Sequence, residues 1–151
     1  MTRIISQSRD ETWQLGERLG TLAVPGTFIA LGGDLGAGKT VFAKGVGAGL
    51  SVSSVVSSPT FILVALHESG RLPLWHVDAY RLTAGDEIDG LGLEEADDGV
   101  VVMEWATRFP NALPNDRLEV VLHERAGAPD VREIELIATG PRHRALVEGV
   151  V

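Results

Sequence analysis

Apolar positions at Trp13, Leu15, Leu19 and Leu22 recur near helical spacing, so residues 10–23 predict a helix, with Ser8 or Asp10 placed to cap it. The pattern then changes. Thr27-Phe28-Ile29-Ala30-Leu31 is short and continuously apolar, as expected of a strand covered on both faces. Beyond a glycine-rich stretch, Val41-Phe42-Ala43-Lys44 opens a second helix, laden with Gly45, Gly47 and Gly49 and ending near Leu50. Ser51 to Ser58 predicts a loop closed by Ser58-Pro59-Thr60, where proline blocks helix continuation. Phe61 to His67 and Leu72 to Asp78 predict a hairpin around Glu68-Ser69-Gly70-Arg71. Tyr80 to Asp98 is polar with short helical pieces, and Gly99 to Trp105 is the cleanest buried strand. Arg117–Arg125 and Val131–Thr139 alternate as half-exposed strands around a turn near Gly127-Ala128-Pro129-Asp130. There is no internal repeat and no linker. The expectation is one α/β domain across residues 1–151, its sheet mixed, with a parallel core, antiparallel additions and flanking helices.

Candidate chemistry begins between the first strand and the second helix. Gly33-Asp34-Leu35-Gly36-Ala37-Gly38-Lys39-Thr40 fits Gly-x4-Gly-Lys-[Ser/Thr], and strand–loop–helix is the context that the motif requires. Glycines at 33, 36 and 38 let the backbone take positive φ and approach a phosphate closely. The loop N–H groups and the helix start make a partly positive cradle. Lys39 would bridge β and γ oxygens, and the Thr40 hydroxyl would ligate Mg²⁺. The chain has only two lysines, Lys39 and Lys44, and one of them falls in this slot. The alternative is a glycine-rich turn with no ligand. With the motif, the fold expectation sharpens to a single P-loop NTPase domain.

Such a loop needs acids at the ends of buried strands to hold the metal shell and position water. Asp78 ends Leu74-Trp75-His76-Val77-Asp78, and Glu104 ends Val100-Val101-Val102-Met103-Glu104. Each could instead cap its strand or pair with an arginine such as Arg81 or Arg108. Trp105, next in line, fits either core packing or a place near the nucleotide. Arg132 fits either a phosphate or base contact or an exposed strand-edge charge.

Composition narrows the classes. With no cysteine there is no disulfide scaffold or thiolate zinc site, and the four histidines have no metal-ligand spacing. No apolar run approaches a membrane span, and residues 1–7 lack the apolar core of a signal peptide; both point to a soluble cytoplasmic protein. A net charge of −8 argues against direct DNA binding or any unassisted grip on nucleic acid. Between Arg81 and Arg108 every charged residue is acidic, which reads as a solvated face or a docking surface for a basic partner.

The loop 33–40, then Ser57-Ser58-Pro59-Thr60-Phe61, His76-Val77-Asp78-Ala79-Tyr80-Arg81-Leu82 and Glu104-Trp105 match, in order and approximate spacing, the TsaE (YjeE) family, which the chain resembles from about Thr12 to Gly140. The resemblance implies an ATPase needed to form threonylcarbamoyladenosine beside the tRNA anticodon. Its partner would be the TsaB–TsaD heterodimer, through which it meets tRNA indirectly, and no membrane is involved. It also implies that Leu35 to Thr40 bind ATP, that Thr40 and Glu104 hold Mg²⁺, and that Asp78 is the Walker B-type acid. Trp105 and Arg132 would lie near the nucleotide, and Ser58-Pro59-Thr60 would form a switch-like loop. Val41 and Ala79 depart from a threonine and a leucine common in the family. Two readings stay open beside the ATPase: a nucleotide-gated adaptor with incidental hydrolysis, and a small metabolite kinase.

Overall fold

A computed structural model of the chain describes residues 1–34, 36–54, 56 and 64–151. Among these, seven strands form one sheet: β1 (Thr2–Ser6), β2 (Thr27–Gly33), β3 (Val64–His67), β4 (Leu74–Asp78), β5 (Val100–Glu104), β6 (Leu118–Arg125) and β7 (Ala128–Ala138). Their spatial order is β1-β7-β6-β2-β5-β4-β3. β6, β2, β5 and β4 are parallel to one another, while β3 at one edge and β7 and β1 at the other are antiparallel additions. The α/β class with a mixed sheet is as the pattern predicts.

β2 lies in the middle and is buried on both faces, which explains its unbroken apolar run. Its Ile29 and Leu31 pack with Leu15, Leu19, Phe42, Val46 and Val147 of α1 (Arg9–Leu22), α2 (Lys39–Gly49) and α4 (Pro141–Val150). On the other face Phe28 and Ala30 join Val101 and Met103 of β5. That side is covered by residues 79–113, including the short α3 (Asp86–Asp89) and further 3-10 turns.

The helix carrying the glycine-rich loop is seated unusually close. A Cβ on Gly16 or Gly20 of α1 would collide with backbone oxygens of α2, and one on Gly45 or Gly49 of α2 with those of α1. The glycines of α2 are therefore a packing surface. α1 begins at Ser8, whose hydroxyl accepts the Glu11 N–H (3.2 Å), while Glu11 reaches back to Gln7 N–H (2.6 Å). Its C-terminal carbonyls at Gly20, Thr21 and Ala23 all accept from the Arg71 guanidinium (2.8, 3.1 and 2.9 Å), tying the β3–β4 connection to the helix pair.

Several elements differ from expectation. β1 and α4 are not predicted by the pattern analysis above. The β6–β7 connection is tighter and earlier than expected: only residues 126 and 127 separate the strands, with Gly127 at φ 77°. The Ser51–Thr60 loop is described only in part, and residues 61–63 of the strand expected from Phe61 also lie outside the described residues; Val64–His67 is strand. No helix among the described residues is long and apolar enough to cross a membrane.

Candidate functional site

The C-terminal ends of β2, β4 and β5 open onto one cavity of about 360 Å³, lined by Gly36, Gly38, Lys39, Thr40, Val41, Asp78, Tyr80, Glu104 and Trp105. Parallel pairing puts it there. β2 delivers the loop, and the β4–β5 register sets Asp78 directly beside Glu104. This is the sheet edge at which α/β folds bind ligands.

The loop is built for a close approach to an anion. Gly36 and Gly38 take φ of 79° and 99°, and Gly38 caps α2 from the left-handed region, which a side chain would strain. Gly33 ends β2, Ala37 is buried with its N–H on Asp34 O (3.1 Å), and the N-terminus of α2 points into the cavity region through Lys39 and Thr40. Lys39 is 5% exposed. Its Nζ donates to the carbonyls of Gly33 (3.2 Å) and Asp34 (2.6 Å) and stands 4.0 Å from the centre of the Trp105 ring. Burial pushes the ammonium below the usual lysine range, opposed by the carboxylates of Glu104, Asp34 and Asp78.

Opposite the loop, Glu104 is 3% exposed, and a carboxylate removed from water needs partners. Oε1 accepts from the Thr40 hydroxyl at 3.4 Å, and Oε2 lies 2.6 Å from Nε2 of His76. Asp78 Oδ1 accepts the Tyr80 N–H (2.9 Å), which turns the chain sharply after β4. Trp105 leaves β5 at φ 64°, a left-handed conformation that costs a bulky residue roughly 1–3 kcal/mol. Its ring packs against Tyr80 (centroids 5.0 Å apart) and under Lys39.

A family model described as threonylcarbamoyl adenosine biosynthesis protein TsaE matches residues 6–134. The chain belongs to the TsaE family. A tRNA threonylcarbamoyladenosine biosynthesis protein TsaE of Bacillus subtilis is 43% identical over 92% of this chain and 87% of its own. Its counterpart in Streptomyces coelicolor is 41% identical over 85% of this chain and 91% of its own. The crystal structure of Bacillus subtilis YdiB superposes with a TM-score of 0.84 at 34% identity, covering 99% of this chain and 93% of that one.

Of the positions that the TsaE resemblance singles out, Lys39, Thr40, Asp78, Glu104 and Trp105 line one cavity together with Gly36 and Gly38. Leu35 and the Ser58-Pro59-Thr60 segment lie outside the described residues. Arg132 sits on the far side of the loop. Its Nε donates to Ala37 O (3.0 Å) and Nη1 to Pro129 O and Val131 O (2.6 and 3.0 Å), with Glu124 at 3.8 Å. It braces the loop backbone and does not line the cavity.

Two contributors are given no place at the site by the sequence reading, although His76 opens one of the matched segments and Arg108 is named there as a possible partner of the acids. His76, one of four scattered histidines, is wholly buried against Glu104. Its hints are its place at the head of the matched segment 76–82 and its being a polar residue amid the apolar run of β4. Arg108 donates to the carbonyls of Ala79, Tyr80 and Leu82 (2.6, 2.8 and 3.3 Å) and lies 5.1 to 5.9 Å from the ring centres of Phe109, Tyr80 and Trp105. It fastens the cavity wall.

Proposed function

We propose that this protein binds Mg-ATP in the cavity between α2 and the ends of β4 and β5 and hydrolyses it, in the service of threonylcarbamoyladenosine formation on tRNA. The convergence of Lys39, Thr40, Asp78 and Glu104 on one cavity, in a chain of the TsaE family, carries the reading. Gly33 to Thr40 cradle the triphosphate with backbone N–H groups, and Lys39 adds a charge that is already held in place. Donors fixed before the reaction stabilise charge developing on the transferring phosphoryl without reorganising.

The donor set suits a hard dication: the Thr40 hydroxyl and Glu104 carboxylate are oxygen ligands. Among the described residues, no group of three or more His, Cys, Asp or Glu could hold a metal unaided. Mg²⁺ requires none, because it is held by one or two side chains together with the phosphates of its nucleotide. When bound it supplies charge neutralisation on the β and γ oxygens. Asp78 and Glu104 share the holding of the metal shell and the orienting of the attacking water.

Among the described residues no arginine lines the cavity; Arg108 and Arg132 are both committed to backbone carbonyls. A phosphate-loop site without an arginine finger is slow until a partner completes it. The partner in this reading is the TsaB–TsaD heterodimer, which carries the chemistry on tRNA, and the protein works in the cytoplasm. The segment leading to Glu104 is acidic and offers no arginine lid of the kind a metabolite kinase needs.

Steady-state ATP hydrolysis, alone and with the TsaB–TsaD heterodimer, tests the proposal. Slow turnover alone and strong stimulation by the complex are expected. Equal or faster turnover alone, unmoved by the complex, would overturn the tRNA-modification role. If Glu104→Gln binds ATP and still supports tRNA modification, binding and not hydrolysis is the switch.

A further inference from the structure

His76 is wholly buried, a polar residue set between apolar neighbours in the sheet. Its register neighbours are Ala65 and Val102, and Leu74 occupies the next inward position on the same strand. An aliphatic side chain would fill the site without desolvating a ring. The imidazole instead leaves Nδ1 buried and, among the described residues, without a hydrogen-bond partner. Such a group is costly unless the other nitrogen gains from a specific contact. That contact is Nε2 to Glu104 Oε2 at 2.6 Å, shorter than the 3.4 Å bond from Thr40 to Oε1.

A glutamate's terminal torsion is broad, so a carboxylate held by nothing but its own stem presents either oxygen in many directions. With Oε2 pinned by His76, Oε1 is turned to Thr40 at 3.4 Å, on the cavity side. Thr40 and Glu104 are the two side chains to which the proposed function gives the metal. Groups that hydrogen-bond a metal-holding carboxylate from behind fix its direction, and their loss typically weakens metal affinity 10–100-fold.

We infer that His76 is a positioning residue, which orients Glu104 so that Oε1 and the Thr40 hydroxyl face the metal-nucleotide together. It touches neither nucleotide nor metal, and the inference rests on the nucleotide reading of the cavity.

The test is binding of mant-ADP, followed by its fluorescence, across a MgCl2 titration and in EDTA. In His76→Leu, which fills the space without a donor, the Mg²⁺ concentration at half-maximal effect should rise about 10–100-fold. Affinity in EDTA should stay within about twofold of wild type, since His76→Leu keeps the Glu104 charge and alters only the direction of its metal-holding oxygen. His76→Gln, whose amide nitrogen can reach the same oxygen, should recover most of the loss. In a Glu104→Gln background, His76→Leu should add less than about twofold, because one path is already cut.

An unchanged Mg²⁺ midpoint in a folded His76→Leu would overturn the inference. So would equal losses with and without metal, or a full additional loss on top of Glu104→Gln. If His76→Leu fails to fold, His76→Met, which likewise has no donor to offer Oε2, takes its place with the same expected rise, and an unchanged Mg²⁺ midpoint there would overturn the inference. Wild-type protein that binds no mant-ADP would remove the nucleotide reading and this inference together. A normal wild type with an indifferent His76→Leu removes only the latter.

Discussion

His143 of α4 is fully buried with its ring nitrogens committed in opposite senses. Nε2 accepts the Phe28 N–H at 2.9 Å, so Nδ1 carries the proton and donates to Asp116 Oδ1 at 2.6 Å. Burial pushes the imidazole below its ordinary value, against the opposing pull of Asp116, and a second proton would set Nε2–H against the Phe28 N–H. The unfolded chain therefore binds more protons below pH 6.5, the ordinary histidine value, and stability falls as pH drops through that window. His67 is shifted the same way by burial and adds to the slope. Asp116 acts in a separate window: held low chiefly by its bond to His143, it contributes above its ordinary 3.8 and loses that contribution only as pH falls further. Thermal melts should show Tm decreasing from pH 7 to pH 5, with a shallower decrease in His143→Gln; an identical slope would refute the assignment. At the cavity, Lys39→Ala removes a donor worth about 3–4 kcal/mol in the transition state and should cut ATP turnover roughly 10²–10³-fold. Wild-type turnover would refute that role. Lys39 and Thr40 are legible in the sequence because the motif's spacing is itself the chemistry. The left-handed Trp105 and the buried bond of His76 are not, since both depend on which neighbours the sheet brings alongside.

The loop and its flanking elements were readable because β2 is buried on both faces and α2 starts where a glycine must. β5 was equally plain. β1 was not: five residues at a sheet edge, mostly half-buried or exposed, derive their strand character from pairing with Arg132 to Leu136 of β7. α4 did leave a signal, in Pro141 at its first turn and His143, Leu146, Val147 and Val150 at helical spacing. The glycines of α2 mislead in the opposite direction. Their low helix propensity marks a weak helix, yet Gly45 and Gly49 are where the α1 backbone touches α2. Gly45→Ala gains propensity but drives a Cβ into the Trp13 carbonyl, and overpacking of this kind costs about 2–3 kcal/mol. A fall in Tm of about 5–10 °C is expected in a chain of this size, and a rise would disprove the close seating.

Taken as a whole, the molecule carries a net charge of −8, and Asp86, Glu87, Asp89, Glu94, Glu95, Asp97 and Asp98 are all exposed on the layer covering one sheet face. Binding to a polyanion rests on neutralising its phosphates, which this surface does not do. In a mobility-shift assay at about 0.15 M salt the purified protein should leave tRNA unshifted. A supershift is expected only when the TsaB–TsaD heterodimer is present, and a tight shift by the protein alone would count against an indirect role.

The pairing of β1 with β7 also sets a timetable for synthesis. Thr2–Ser6 leaves the ribosome well before its partner: among the described residues the strand beside it in the sheet begins at Ala128. At about 5–20 residues per second, those roughly 120 intervening residues take about 6–25 s to make. For that interval the segment that becomes β1 has no β7 to pair with, and its N–H and C=O groups are open to other partners. Only the arrival of β7, far downstream of β1, closes this side of the sheet.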